Sequence, residues 1–170
     1  MKRPGTHNPG ADSAKTGDYR GVFQVAPVSS LWLPRLVEID STWNPKSWSL
    51  KLFERELENP AARLRGVFAG EYLVGYLIAH VVLDEAHIVS LGIDPEWRGR
   101  GAGRTVLADF LRIAALEHVK VVTLEVRASN AIAQRLYEWG GFRAVGIRRH
   151  YYLKDGEDAI TMRYESDRDR

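Results

Sequence analysis

Three groups of residues in the second half of the chain have the types and spacing to do chemistry together. The first is Arg98-Gly99-Arg100-Gly101-Ala102-Gly103-Arg104, which follows an apolar stretch ending Leu91-Gly92-Ile93-Asp94-Pro95. It opens a segment whose Leu107, Phe110, Leu111 and Ala114 share one helical stripe. A glycine-rich turn between strand and helix exposes backbone N–H groups, and the helix N-terminus adds partial positive charge. The run is therefore an anion site suited to a pyrophosphate, with Arg98, Arg100 and Arg104 raising the local potential. Its spacing is neither Gly-x-Gly-x-x-Gly nor Gly-Lys-Ser/Thr, the two common phosphate-loop patterns.

The second group is a carboxylate on an apolar strand. In Val121-Val122-Thr123-Leu124-Glu125-Val126-Arg127, period-2 alternation puts Val122, Leu124 and Val126 on one face and Val121, Thr123 and Glu125 on the other. A carboxylate in such surroundings is partly desolvated, which tunes it toward general-base work. The alternative is an edge-strand Glu125 in water, or one tied to Arg127 or Arg98. The third group is Asn130 and Tyr137. They lie two helical turns apart, so a helix places amide and phenol on nearly the same side. Asn130 could bond a ligand amide and Tyr137 could protonate a departing thiolate. Equally, Asn130 could serve only as a helix cap, and Tyr137 could pack with Ile132, Ala133 and Leu136. Ser90-Leu91-Gly92-Ile93 adds an isolated glycine within a strand, a mark of a bulge or a close backbone approach. A bulge there would free N–H groups to polarise a carbonyl; a packing glycine is the plain alternative.

These groups need elements to hold them. Val22–Val25 reads as a first strand, followed by helices over about Ser30–Ser41 and Ser47–Glu58, with Pro34 in the first turn of the former. Arg65–Ala69, Tyr72–Leu83 and Ala86–Ile93 read as strands, Ala102–His118 as a helix and Val121–Val126 as a fifth strand. Asn130–Trp139 is a short helix stopped by Gly140-Gly141, and Phe142–Ile147 and Ala159–Tyr164 are the last strands. This order predicts one mixed α/β sheet with helices on both faces.

Bulk properties set outer bounds. The 170 residues fit one domain with a sizeable core, and 45% hydrophobic with 27% charged residues is ordinary globular composition. A formal net charge of +2 does not point to nucleic acid. With no cysteine there are no disulfides, thiolate nucleophiles or thiolate metal sites, which fits a reducing cytoplasm. No apolar run reaches the ~20 residues of a membrane span, and no apolar core follows Lys2 and Arg3 as a secretory signal would require. Residues 1–18 are rich in Gly, Pro, Ser and charge and read as a mobile tail, and 166–170 as a polar tail.

Taken in order, the motifs resemble the GNAT superfamily of N-acetyltransferases, and within it the RimI-type ribosomal-protein N-terminal alanine acetyltransferases. The likeness rests on Asp84-Glu85-Ala86, Ile93-Asp94-Pro95, Arg98–Arg104, Leu124-Glu125-Val126-Arg127-Ala128-Ser129-Asn130 and Leu136-Tyr137-Glu138. It continues through Gly141-Phe142 and Arg148-Arg149-His150-Tyr151-Tyr152, and runs from Phe68 to Met162. The resemblance implies a single acetyltransferase domain over 19–165 with a mostly antiparallel sheet. It implies that Leu91, Gly92, Ile93, Gly99, Arg100, Gly101, Ala102, Gly103, Arg104 and Asn130 bind acetyl-coenzyme A. Glu125 would be the proton acceptor and Tyr137 the proton donor of a direct transfer that needs no metal. The acceptor peptide would enter over the fourth strand and the loop carrying Arg149, Tyr151 and Tyr152. The implied partner is the N-terminal segment of a protein, a ribosomal protein by the family's habit, met by a cytoplasmic monomer or weak dimer without nucleic acid or membrane. The alternatives are a broader N-terminal, lysine or small-amine acetyltransferase, and a non-catalytic acyl-coenzyme A-binding module. The chain departs from the pattern at Pro45-Lys46-Ser47-Trp48-Ser49, where the family's Pro-Trp-Ser is broken in a region expected to line the peptide groove.

Overall fold

The computed structural model describes residues 22–44 and 46–166. The expected tail over 1–18, Pro45 and residues 167–170 lie outside them. The strands are β1 (Gln24–Pro27), β2 (Ala62–Ala69), β3 (Tyr72–Val82), β4 (Glu85–Ile93), β5 (Val121–Arg127), β6 (Arg143–Tyr152) and β7 (Glu157–Glu165). The helices are α1 (Leu33–Ser41), α2 (Leu50–Glu58), α3 (Ala102–Leu116) and α4 (Ala131–Trp139). One sheet takes the order β1-β2-β3-β4-β5-β7-β6, antiparallel throughout except where β4 meets β5.

Each face of the sheet carries its own core. On one side Val106, Leu107, Phe110 and Ala114 of α3 pack on Val67, Leu77, Ala86, Ile88, Val122 and Leu124. On the other, Leu36 and Ile39 of α1 and Phe53 of α2 cover Leu64, Leu73, Tyr76 and Ile78. Residues such as Leu107 and Leu36 are wholly buried, and each such side chain stabilises the fold by about 1.5–3 kcal/mol. Arg65 on β2 bonds Asp109 of α3 at 2.8 Å, and Arg63 bonds Glu117 just beyond the helix at 2.8 Å, fixing the helix across the sheet.

The boundaries shift for local reasons. The segment Ser30–Trp32 is a 3-10 turn, so α1 starts at Leu33 with Pro34 inside its first turn. The Ser49 hydroxyl caps α2 by accepting from Leu52 N at 3.3 Å, which delays that helix past Ser47. The helix α3 ends before His118 because His118 takes a left-handed φ of 59°, a role glycine usually fills. Val119 N then donates back to Ala114 O at 2.9 Å. The last two strands run longer than their apolar cores, as far as Tyr152 and back to Glu157. Phe142 stays out of β6 and packs between Tyr137 and Tyr164 instead.

Candidate active site

The sheet is opened from within by one extra residue. In the β3–β4 ladder Ile78 stands opposite Ser90 and Ala79 opposite Ile88, so Val89 is the additional residue of a β-bulge. The bulge reverses the alternation of β4. Ala86 and Ile88 pack into the α3 core, whereas beyond it Ser90 turns to the opposite face to meet Tyr76. The parallel ladder to β5 covers only Glu85–His87 against Val121–Thr123. Past His87, β4 has no strand on its β5 side, and its backbone borders a cleft of about 660 Å³ between the two strands. Of the two readings open for Gly92, bulge or close approach, the close approach holds, and the bulge lies at Val89. A Cβ there would lie 2.6 Å from Trp43 Nε1 and 2.8 Å from the Tyr76 ring.

The cleft gathers residues from six segments, Arg98 being one of them. Ile88–Ile93 form one wall, and Glu125, Val126 and Arg127 form the other. Asn130, Ile132, Ala133, Leu136 and Tyr137 of the α4 region close one side. Trp43, Asn44, Lys46 and Trp48 after α1, and Tyr151, Tyr152, Leu153 and Lys154 of the β6–β7 hairpin, complete it. Leu91, Gly92, Ile93, Glu125, Asn130, Tyr137, Tyr151 and Tyr152 are therefore brought together, although they come from four separate elements.

The glycine run adjoins this space. Arg98 lines it, with its Nε donating to Ile93 O at 3.0 Å. A Cβ on Gly103 would lie 3.3 Å from Leu136 and 3.8 Å from Ile93, both cleft residues. Gly99 and Gly101 hold φ of 72° and 98°, left-handed values that favour glycine. Gly101 is the N-cap of α3 with no side chain to cap it. The first-turn N–H groups of Ala102, Gly103 and Arg104 therefore have no intrahelical acceptor. Arg100 and Arg104 flank the run, stacked over Trp97 at 5.3 Å and Trp139 at 5.1 Å.

Glu125 lies on the face opposite the α3 core, as the alternation of β5 dictates, with its side chain 12% exposed. Two nitrogen-bearing side chains stand beside it. Arg148 Nη1 lies 3.1 Å from Oε1 and His87 Nε2 lies 3.2 Å from Oε2. Neither Arg127 nor Arg98 is its partner; Arg127 bonds Asp155 at 2.8 Å and Glu157 at 2.7 Å. Asn130 is the N-cap of α4, its Oδ1 accepting from Ala133 N at 3.1 Å, which leaves its Nδ2 free of that duty. Tyr137 is buried, and its ring meets Phe142 edge-on at 5.7 Å. Burial, and secondarily Tyr152, raises its phenol well above the usual value, so it keeps its proton across neutral pH. Ile132 is 77% exposed and cannot supply the packing role considered for it.

Tyr151 and Tyr152 meet edge to face at 5.1 Å and are each braced by an arginine, Arg148 over Tyr151 at 4.5 Å and Arg127 over Tyr152 at 3.9 Å. Arg149 does not join them. Its side chain is 74% exposed, bonds Asp158 at 2.6 Å and does not border the cleft. Sequence reasoning missed His87 and Arg148 as neighbours of Glu125, and Trp43 as the side chain over Gly92. It also missed Asp40, a wholly buried carboxylate that holds the loop after α1. Asp40 accepts from Tyr76 Oη at 2.6 Å, Trp48 N at 2.6 Å and Asn44 Nδ2 at 3.2 Å. Asp40 in an otherwise apolar helix stripe was a legible signal; the other contacts join distant strands and had none.

The acetyltransferase (GNAT) family model matches residues 33–142. The chain is 36% identical over 132 residues to the [ribosomal protein bS18]-alanine N-acetyltransferase of Escherichia coli (strain K12), covering 76% of this chain and 88% of that one. It is 39% identical over 131 residues to the N-alpha-acetyltransferase RimI of Mycobacterium tuberculosis, covering 75% and 78%. The crystal structure of the ribosomal-protein-S18-alanine N-acetyltransferase from Escherichia coli superposes with a TM-score of 0.77 at 32% identity, over 85% of this chain and 94% of that chain. A family match over residues 33–142, with these identities and this superposition, shows that the protein belongs to the acetyltransferase (GNAT) family, in its RimI-type branch.

Proposed function

We propose that this protein transfers the acetyl group of acetyl-coenzyme A to the α-amine at the N-terminus of a protein, and that its acceptor is the N-terminal alanine of the small-subunit ribosomal protein bS18. The acceptor follows the names of the relatives from Escherichia coli. The observation that carries the chemistry is the opening of β4 from β5, with the Glu125 carboxylate on one wall and the buried Tyr137 hydroxyl on another. A thioester arm laid along the free edge of β4 meets unpaired backbone groups, and its pyrophosphate reaches the N–H groups of Gly101–Arg104.

The residues then act in sequence. Glu125 removes a proton from the incoming ammonium, because an ammonium has no lone pair with which to attack. Backbone N–H groups of β4 beyond the bulge stabilise the developing oxyanion. Tyr137, held protonated by burial, donates to the departing thiolate. Tyr151 and Tyr152 on one side, and Trp43, Lys46 and Trp48 on the other, border the path of the peptide.

The test uses labelled acetyl-coenzyme A with peptides beginning Ala, Ser, Met or Gly and an internal-lysine control. Label on the α-amine of the alanine peptide is expected; label on lysine alone would replace this reading with a lysine acetyltransferase. Calorimetry on Gly101→Glu, which puts bulk and negative charge at a left-handed position, should show acetyl-coenzyme A binding sharply weakened. Undiminished affinity would remove the glycine run from the cofactor site.

A further inference from the structure

Glu125 separates the cleft from a second polar group. Of Glu125, His87 and Arg148, only Glu125 borders the cleft. His87 stands on β4 behind the carboxylate with its side chain 43% exposed, and its Nε2 is 3.2 Å from Glu125 Oε2. Its Nδ1 lies 3.0 Å from the Thr123 hydroxyl, directly opposite in the β4–β5 register. That hydroxyl also reaches Ala86 O at 3.4 Å. Either ring nitrogen of a neutral imidazole can carry its hydrogen, and the Thr123 hydroxyl can meet Nδ1 as donor or as acceptor. With Thr123 as acceptor, Nδ1 carries the hydrogen and Nε2 is open to a proton from Oε2.

We propose that His87 is the positioning residue for the proton transfer: it draws onward the proton that Glu125 takes from the acceptor ammonium and releases it to solvent on the side away from the cleft. This rests on Glu125 acting as the base. The groups around His87 suit such a relay. On β3 its register partner is His80, engaged by Glu56 of α2 at 2.7 Å. On β6, Arg148 holds the other oxygen of Glu125. On β7, Arg163 stands opposite Thr123 and bonds Glu165 at 2.9 Å. Glu125 is the anion that draws a proton onto His87, while Arg148 opposes a lasting second positive charge and favours its release to water.

The protons balance. The ammonium loses one to Glu125, which passes to His87 Nε2 and then to water. The freed lone pair forms the N–C bond, the C–S bond breaks, and the sulfur takes the Tyr137 proton. The second nitrogen proton, lost as the amide forms, restores the phenol. One proton leaves per turnover.

His87→Gln keeps the bulk and a hydrogen bond but cannot accept a proton. With saturating peptide and acetyl-coenzyme A, its kcat should fall about tenfold near neutral pH, less than the loss from removing a directly reacting acid or base. The KM for each substrate should not change. The acid limb of its kcat–pH profile should move to lower pH, since an imidazole is ordinarily a stronger base than a carboxylate. The ratio of variant to parent rate should therefore climb as pH falls. In His87→Ala, imidazole added to the buffer should restore kcat. An unmoved acid limb, or no response to imidazole, overturns the proposal whatever happens to kcat. Glu125→Gln run alongside separates the two claims. If it turns over at the parent rate, the base assignment falls and this proposal with it. If it is inactive while the His87 variants keep the parent profile, this proposal alone falls.

Discussion

Replacing Tyr137 with Phe should divide catalysis from stability cleanly. The side chain is 7% exposed and its ring contact is with Phe142 at 5.7 Å, both of which a phenylalanine preserves. The residue borders the cleft, so deleting its hydroxyl leaves the surrounding packing intact. Stability should change by no more than about 0.5 kcal/mol, in either direction. Truncation to alanine would confound the reading, since emptying a buried aromatic site costs about 3–5 kcal/mol. Loss of a general acid lowers kcat by ~10²–10⁴-fold, equivalent to about 2.7–5.4 kcal/mol of transition-state stabilisation. The assay is kcat at saturating alanine peptide and acetyl-coenzyme A, with cofactor affinity by calorimetry and thermal unfolding as the structural control. A thioester whose thiol is more acidic should narrow the deficit, because a better leaving group needs less protonation. Parent-like kcat, or an equal deficit with both thioesters, would refute the acid role. Tyr137 and Tyr76 are both raised by burial, so each phenol stays neutral when folded and ionises near ~10 once unfolded. Their stabilisation holds below that pH and is lost as pH rises toward the folded-state values, by up to about 1.4 kcal/mol per pH unit for each phenol. Tyr137→Phe should accordingly show a shallower alkaline loss of stability in urea titrations.

Three further outcomes follow from the same contacts. Glu157 is held down to about 2 by hydrogen bonds from Ser129 and then by Arg127, so its grip on the turn before Asn130 is complete above the ordinary value near 4.5 and lost as pH falls toward about 2. Acetyl-coenzyme A affinity followed by calorimetry should drop across that window in the parent and lack that step in Glu157→Gln. Gly92→Ala drives a methyl to 2.6 Å from Trp43 Nε1 and 2.8 Å from Tyr76, which should destabilise by about 1–3 kcal/mol in urea unfolding and raise the peptide KM as Trp43 is displaced. Asp40→Ala removes the acceptor of Trp48 N and Asn44 Nδ2 and leaves the Tyr76 hydroxyl with Ser90 as its partner. At about 1–3 kcal/mol for a buried donor left unpaired, it should cost roughly 2 kcal/mol or more in the same measurement.

What the sequence disclosed depended on whether the physics was local. The phase of Glu125 followed from alternation within seven residues. The pairing of Asn130 with Tyr137 on the cleft followed from helical pitch, and the left-handed turn ahead of α3 followed from its glycines, whose φ values reach 72° and 98°. Each needs only the residue's own neighbours. Arg148 could not be read, because β7 lies between its strand and that of Glu125 and the contact exists only once the sheet order is set. His87 could not be read for the same reason: Thr123 and Glu125 meet it across a parallel ladder joined by the whole of α3. Of the alternatives open for Gly92 the close approach holds, and the bulge has a cause other than a glycine. Val89 is β-branched and suits a strand, and it becomes the extra residue only because the β3–β4 register has one position fewer on the β3 side. That single surplus residue ties the fold to its chemistry. It ends the ladder to β5 just past His87, turns Ser90 toward Tyr76 and Asp40, and leaves Glu125 with a cleft on one side and an imidazole on the other. A continuous ladder would have sealed Glu125 beneath paired backbone. The setting of Glu125 is thus a consequence of where the sheet fails to pair.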